Sequence, residues 1–123
     1  MICLDTNYLI GGVQEGSPEA DQIVDWYSRG EVIITPGPAW YEFLCGPVTQ
    51  AQIETMGAFL SAVIPFSIIE SREAAQLFNA AGRRRTLRFD SMIAATAIAA
   101  RARLATNNLS DFVVFKDYGL ELV

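Results

Sequence analysis

The chain has 123 residues, 51% of them hydrophobic and 19% charged, with nine Lys and Arg against fourteen Asp and Glu, no His and two Cys. That length suits one domain over residues 1–123, and the apolar content excludes disorder. The missing imidazole excludes a Ser-His-Asp triad, His acid–base chemistry and His-bearing zinc sites. A net charge of -5 argues against an unassisted nucleic-acid binder, which normally shows an excess of Lys and Arg.

In chain order, Ile2–Leu4 reads as a short strand ended by Asp5. The run Met1-Ile2-Cys3-Leu4 lacks the basic start and long apolar centre of a signal peptide, so a cytoplasmic protein is expected. A helical pattern from Thr6 breaks at Gly11-Gly12, and Ser17, Pro18 and Glu19 then supply N-cap, first helical position and first-turn acid for a helix stopping at Gly30. Residues 32–35 are β-branched and read as a buried strand. Helices over 38–44 and 49–62 follow, then a strand over 63–66 and a helix over 70–82. A basic segment leads to Asp90, expected to open an apolar helix over 91–103. That helix is too short to span a membrane. Residues 104–106 form another strand, 109–112 a helical turn and 120–123 an edge strand. Strands separated by helices imply an α/β fold with a central parallel sheet of four to five short strands. Cys3 and Cys45 sit in apolar surroundings without metal-ligand spacing and read as small core hydrophobes.

In such sheets ligands bind beyond the carboxyl ends of the strands. Asp5 directly follows the first strand, and Glu42 lies about a turn into the helix after the second. Asp90 precedes the apolar helix, and Asp111 lies five residues past Thr106. Four carboxylates on one rim repel unless a divalent cation lies between them, and Mg²⁺ suits hard oxygen ligands. Each acid also has a plainer reading: Asp90 and Asp111 as helix caps, Glu42 as a solvated helix residue. Asp5-Thr6-Asn7 is harder to read that way, since it puts three oxygen-bearing side chains at the binding edge.

Four blocks, Asp5-Thr6-Asn7-Tyr8-Leu9-Ile10, Trp40-Tyr41-Glu42-Phe43-Leu44, Asp90-Ser91-Met92-Ile93-Ala94-Ala95-Thr96-Ala97 and Thr106-Asn107-Asn108-Leu109-Ser110-Asp111-Phe112, in this order and spacing, resemble the PIN-domain nucleases. More narrowly they resemble the VapC-type toxins of type II toxin–antitoxin pairs. The resemblance implies a three-layer α/β/α, Rossmann-like PIN domain in which Asp5, Glu42, Asp90 and Asp111 bind one or two Mg²⁺ or Mn²⁺ ions. Thr106 matches the hydroxyl residue beside that pocket, and Asn7 and Asn108 match polar supporting positions. The implied activity is a metal-dependent endoribonuclease acting on a tRNA, rRNA or mRNA. Attack by metal-activated water leaves 5′-phosphate and 3′-hydroxyl ends. The implied partners are the RNA substrate, a small cognate antitoxin and a second copy of the chain, with no membrane.

Arg83, Arg84, Arg85 and Arg88, four of the nine cations, precede Asp90 and suit either phosphate contact or a solvated turn. Trp26, Tyr27, Trp40 and Tyr41 suit base stacking less well than core or partner contact. A haloacid-dehalogenase phosphatase would need a second Asp where Asn7 stands, and a receiver domain an Asp between Asp25 and Asp90, where there is none. A PIN-domain RNA-processing nuclease outside toxin–antitoxin pairs and a catalytically silent PIN scaffold remain as alternatives, the latter opposed by the intact acids. Setting the four pocket acids aside leaves ten acids against nine cations, so the acidity that opposes RNA binding resides largely in the pocket.

Overall fold

The computed structural model describes residues 1–123. Its elements are β1 (Ile2–Leu4), α1 (Thr6–Gly12), α2 (Pro18–Ser28), β2 (Ile33–Pro36), α3 (Gly37–Cys45), α4 (Gln50–Phe59), β3 (Ala62–Ile64), α5 (Ile68–Ala80), α6 (Arg88–Ala99), β4 (Arg103–Ala105), α7 (Leu109–Phe112) and β5 (Glu121–Leu122). Short 3₁₀ turns over Arg85–Leu87 and Val113–Tyr118 precede α6 and follow α7. The strands form one parallel sheet in the order β3-β2-β1-β4-β5, with helices packed on its faces in a three-layer α/β arrangement. β1 lies at the centre, Ile2 opposite both Ile33 and Arg103, and every residue of it is buried. This explains its unbroken apolar run, because a central parallel strand is covered on both faces. The core is one cluster of 24 residues running from β1 and β2 into the inner faces of α2, α3, α5 and α6.

Local chemistry sets the helix ends. Ser17 Oγ accepts the Ala20 amide (3.0 Å) and donates to the Gly11 carbonyl (2.5 Å), capping α2 while tying it to the end of α1. Thr49 and Gln52 form a reciprocal capping box at α4. No helix is long and apolar enough to cross a membrane.

Several boundaries differ from the sequence reading. α6 begins at Arg88, because the turn over Arg85–Leu87 runs straight into it; Asp90 therefore lies in the first helical turn and is no N-cap. The helix stops at Ala99, where Arg101 turns left-handed (φ 54) and the Ala102 amide closes on the Ala97 carbonyl. β3 starts at Ala62 and ends before Pro65, which has no N–H to continue the ladder. α5 starts at Ile68 because the Glu70 carboxylate reaches back to the Ser67 amide (3.0 Å). Cys3 is buried in β1, but Cys45 is exposed at the end of α3 and is no part of the core.

Candidate functional site

Asp5 follows β1 and caps α1, and it is almost wholly buried, with 4% exposure. Its amide continues the β1–β4 pairing by donating to the Ala105 carbonyl (3.0 Å), so the strand itself fixes where the carboxylate sits. Oδ1 accepts the Thr6 amide at 2.7 Å; Oδ2 accepts the Thr106 hydroxyl at 2.7 Å and Asn7 Nδ2 at 3.3 Å. The Thr106 oxygen in turn accepts the Asn108 amide at 3.0 Å and faces Asn7 Nδ2 at 3.5 Å, which uses its hydrogen-bonding capacity fully.

Glu42 projects from α3, and its Oε2 accepts the Thr6 hydroxyl at 3.2 Å. Asp90, in the first turn of α6, is half-buried and makes no hydrogen bond through its side chain. The two elements bring these acids to Asp5 across 37 and 85 positions of sequence. Asp5, Thr6, Asn7, Ile10, Glu42, Phe89, Asp90 and Asn108 line one cavity of about 170 Å³. Asp111, on α7, is exposed and outside that lining, yet its charge reaches Asp90. Burial first, and then the charges of Asp5, Asp111 and Glu42, push Asp90 up to about pKa 6. Burial also raises Asp5 above the ordinary Asp range, opposed by the bonds from Thr106 and the Thr6 amide, with Glu42 pushing further up.

The predicted acids thus share one electrostatic neighbourhood, and their donor set is entirely hard oxygen, which fits a divalent cation of the Mg²⁺ or Mn²⁺ kind. In the observed rotamers no three of the chain's Asp, Glu and Cys side chains close around one point. Asp5 and Glu42 are held by hydrogen bonds, whereas Asp90 and Asp111 make none through their side chains.

The arginines fall outside the cavity lining. The Arg83 and Arg88 guanidiniums lie over the Phe78 ring, 5.5 and 5.4 Å from its centroid, and Arg83 also donates to Asn79. None of Arg83, Arg84, Arg85 and Arg88 pairs with a carboxylate; the ion pairs are Met1–Glu31, Arg29–Asp25 and Arg103–Glu31. Of the aromatics, Trp26 is core and stacks on Tyr8, Trp40 packs on Phe43, and Tyr27 meets Phe59 edge-on; Tyr41 is 69% exposed. Two polar residues beside the site were not singled out from sequence. Asn107 donates its amide to Asn7 Oδ1 (3.0 Å) and its side chain to Glu19 Oε1 (2.8 Å). The Asn107-Asn108 doublet was a weak signal for the first; Glu19 read only as a first-turn acid, since its partner lies 88 positions away.

A PIN domain family model matches residues 2–115. Among curated proteins, none matches the chain. Among solved structures, the chain is similar to VapBC2 from Rickettsia felis bound to a DNA fragment from its promoter, with TM-score 0.75, 20% identity, and coverage of 100% of this chain and 98% of that one. It is also similar to a toxin–antitoxin complex from Klebsiella pneumoniae, with TM-score 0.70, 25% identity, and coverage of 91% and 90%. DNA-bound VapBC from Salmonella typhimurium gives TM-score 0.72, 20% identity, and coverage of 99% and 96%.

Proposed function

The chain belongs to the PIN-domain family, and on that premise we propose that residues 1–123 act as a single metal-dependent endoribonuclease domain, the VapC-like toxin of a type II toxin–antitoxin pair. The observation that carries this reading is the gathering of Asp5, Glu42 and Asp90 on one cavity, with Asp111 close enough to act on Asp90 by its charge, from four separate stretches of chain. Burial together with neighbouring carboxylates raises Asp5 and Asp90 above the ordinary Asp range, a cost that is hard to explain in a site with only a structural role.

In this reading Asp5, Glu42, Asp90 and Asp111 hold one or two Mg²⁺ or Mn²⁺ ions. Asp5 and Glu42 are pre-set by Thr106, Asn7 and Thr6, while Asp90 and Asp111 turn in to complete the set. When bound, such an ion supplies a water of lowered pKa and offsets charge on the phosphodiester. Thr106 and Asn7 keep the Asp5 carboxylate oriented, and Asn108 lines the cavity beside them. The RNA backbone runs past Arg83, Arg84, Arg85 and Arg88, none of which pairs with a carboxylate and whose planar guanidiniums suit phosphate.

The partner is an antitoxin segment seated beside the pocket. An apolar hollow of about 80 Å³ lined by Ile10, Val13, Phe43, Pro47 and Val48 adjoins the acidic cavity through Ile10. A short apolar stretch followed by a basic residue would fill the hollow and meet the carboxylates. The complexes from Rickettsia felis, Klebsiella pneumoniae and Salmonella typhimurium support a partnered toxin by likeness of fold.

The deciding experiment incubates the purified chain with total RNA in Mn²⁺ and in EDTA. Discrete fragments bearing 5′-phosphate are expected with Mn²⁺ alone; identical RNA profiles in both would remove the nuclease reading. A small protein encoded by the neighbouring gene should co-purify and suppress cleavage.

A further inference from the structure

We propose that Glu19, which lies outside the acidic cavity, is a positioning residue for it, acting through Asn107 on Asn7 and Thr106; this rests on the nuclease reading above. The geometry runs through five contacts. Ser17 pins the start of α2 to the Gly11 carbonyl and so sets Glu19 over α1. Glu19 Oε1 accepts the Asn107 side-chain amide at 2.8 Å, restraining the turn after β4. The Asn107 backbone N–H then donates to Asn7 Oδ1 at 3.0 Å. Because a backbone N–H can only donate, this bond fixes which end of the Asn7 amide faces the pocket. Nδ2 is turned to Asp5 Oδ2 (3.3 Å) and the Thr106 oxygen (3.5 Å). A reversed Asn7 would set its carbonyl against the buried carboxylate. Glu19 thus governs the presentation of Asp5 from a carboxylate that does not itself line the cavity.

Gly11 makes this relay separable from folding. A Cβ at Gly11 would stand 2.8 Å from Glu19 Cδ and 2.9 Å from Oε2. The three atoms it would meet first, Cδ, Cγ and Oε2, all belong to the one flexible Glu19 side chain, so Gly11→Ala displaces the Glu19 carboxylate while keeping the helical backbone, for which Ala is the better residue.

The test compares wild type, Glu19→Gln, Glu19→Ala and Gly11→Ala by calorimetric Mn²⁺ titration, hydrogen exchange of the Asn107 amide without metal, and thermal unfolding. Glu19→Ala and Gly11→Ala should each weaken Mn²⁺ binding about tenfold, the scale at which lost supporting hydrogen bonds act on a metal ligand, and speed Asn107 exchange. Glu19→Gln, which still offers Oε1 to Asn107, should retain wild-type affinity and exchange. Unchanged Mn²⁺ affinity in both Glu19→Ala and Gly11→Ala would overturn the proposal, as would equal losses in Glu19→Gln and Glu19→Ala. A wild-type chain that binds no Mn²⁺ would overturn the nuclease reading instead. The exchange rates would then still decide whether Glu19 sets the Asn7 orientation.

Discussion

Burial and three neighbouring carboxylates lift Asp90 to about pKa 6, so folding disfavours its ionised form. With the folded value above the unfolded one of about 3.9, the folded chain binds the extra proton, and stability falls as pH rises from about 4 to about 6. Asp5 is raised in the same sense. Metal-free protein should therefore melt at higher temperature near pH 5 than near pH 7.5, with added Mn²⁺ recovering most of the difference at the higher pH. Equal melting temperatures at both values would contradict the raised pKa. Asp90→Asn removes the repelling charge and should leave a chain at least as stable as wild type at pH 7.5, yet unable to arrest host growth. Asp5→Ala should likewise lose activity but also stability, by about 1–3 kcal/mol, since the Thr6 amide, the Thr106 hydroxyl and Asn7 lose their acceptor. Urea unfolding of the two variants separates these outcomes. The place of Asp5 at a strand end and of Glu42 on the helix after the second strand could be read from sequence, because both stand beside recognisable apolar runs. The bonds of Glu19 and Asn107 could not, since nothing local to residue 19 differs from an ordinary helix start.

At the scale of elements, the α1–α2 corner and the turn before α6 carry the most consequence. Ser17→Ala deletes both the α2 cap and the tie to Gly11, and should cost about 1 kcal/mol in denaturant unfolding. The Arg83–Arg88 turn is bound to α5 through Phe78, which keeps its cations at the approach to α6. Arg84→Ala with Arg85→Ala should weaken RNA binding and reduce the slope of log K against log salt by about 1.4, if each guanidinium meets one single-strand phosphate. An unchanged slope would return these residues to the status of a solvated turn. Element types follow directly from the sequence here, because β-branched runs, Ser-Pro-Glu and helical apolar spacing are strong local signals. The start of α6 does not, since an Arg-rich approach with no N-cap residue hides a helix that begins two residues before Asp90.

For the whole molecule, the most exposed large apolar side chains include Ile68 and Ile69, 73% and 69% exposed at the start of α5. A second copy covering this face would bury them. Ile68→Asp with Ile69→Asp should then convert a dimer to a monomer in light scattering while the chain stays folded; a wild-type chain that is already monomeric would dispose of the idea. Charge also has to be judged at this scale. The net -5 reflects mainly the four carboxylates proposed as ligands, so RNA affinity should collapse in EDTA.

By itself the sequence determined the alternation of strands and helices, the buried strand β2 and where the acids fall along the chain, because each is written in neighbouring residues: period, branching, caps and strand ends. Tertiary structure decided what those acids amount to. Asp5, Glu42 and Asp90 meet only because a parallel sheet in the order β3-β2-β1-β4-β5 brings their elements to one rim. It also decided that Asp90 is pressed by three like charges, that Cys45 faces solvent and that Glu19 reaches the Asn7 relay. Hydrogen bonds and Coulomb interactions depend on distance in space, and a contact across 88 positions leaves no periodic trace in the chain.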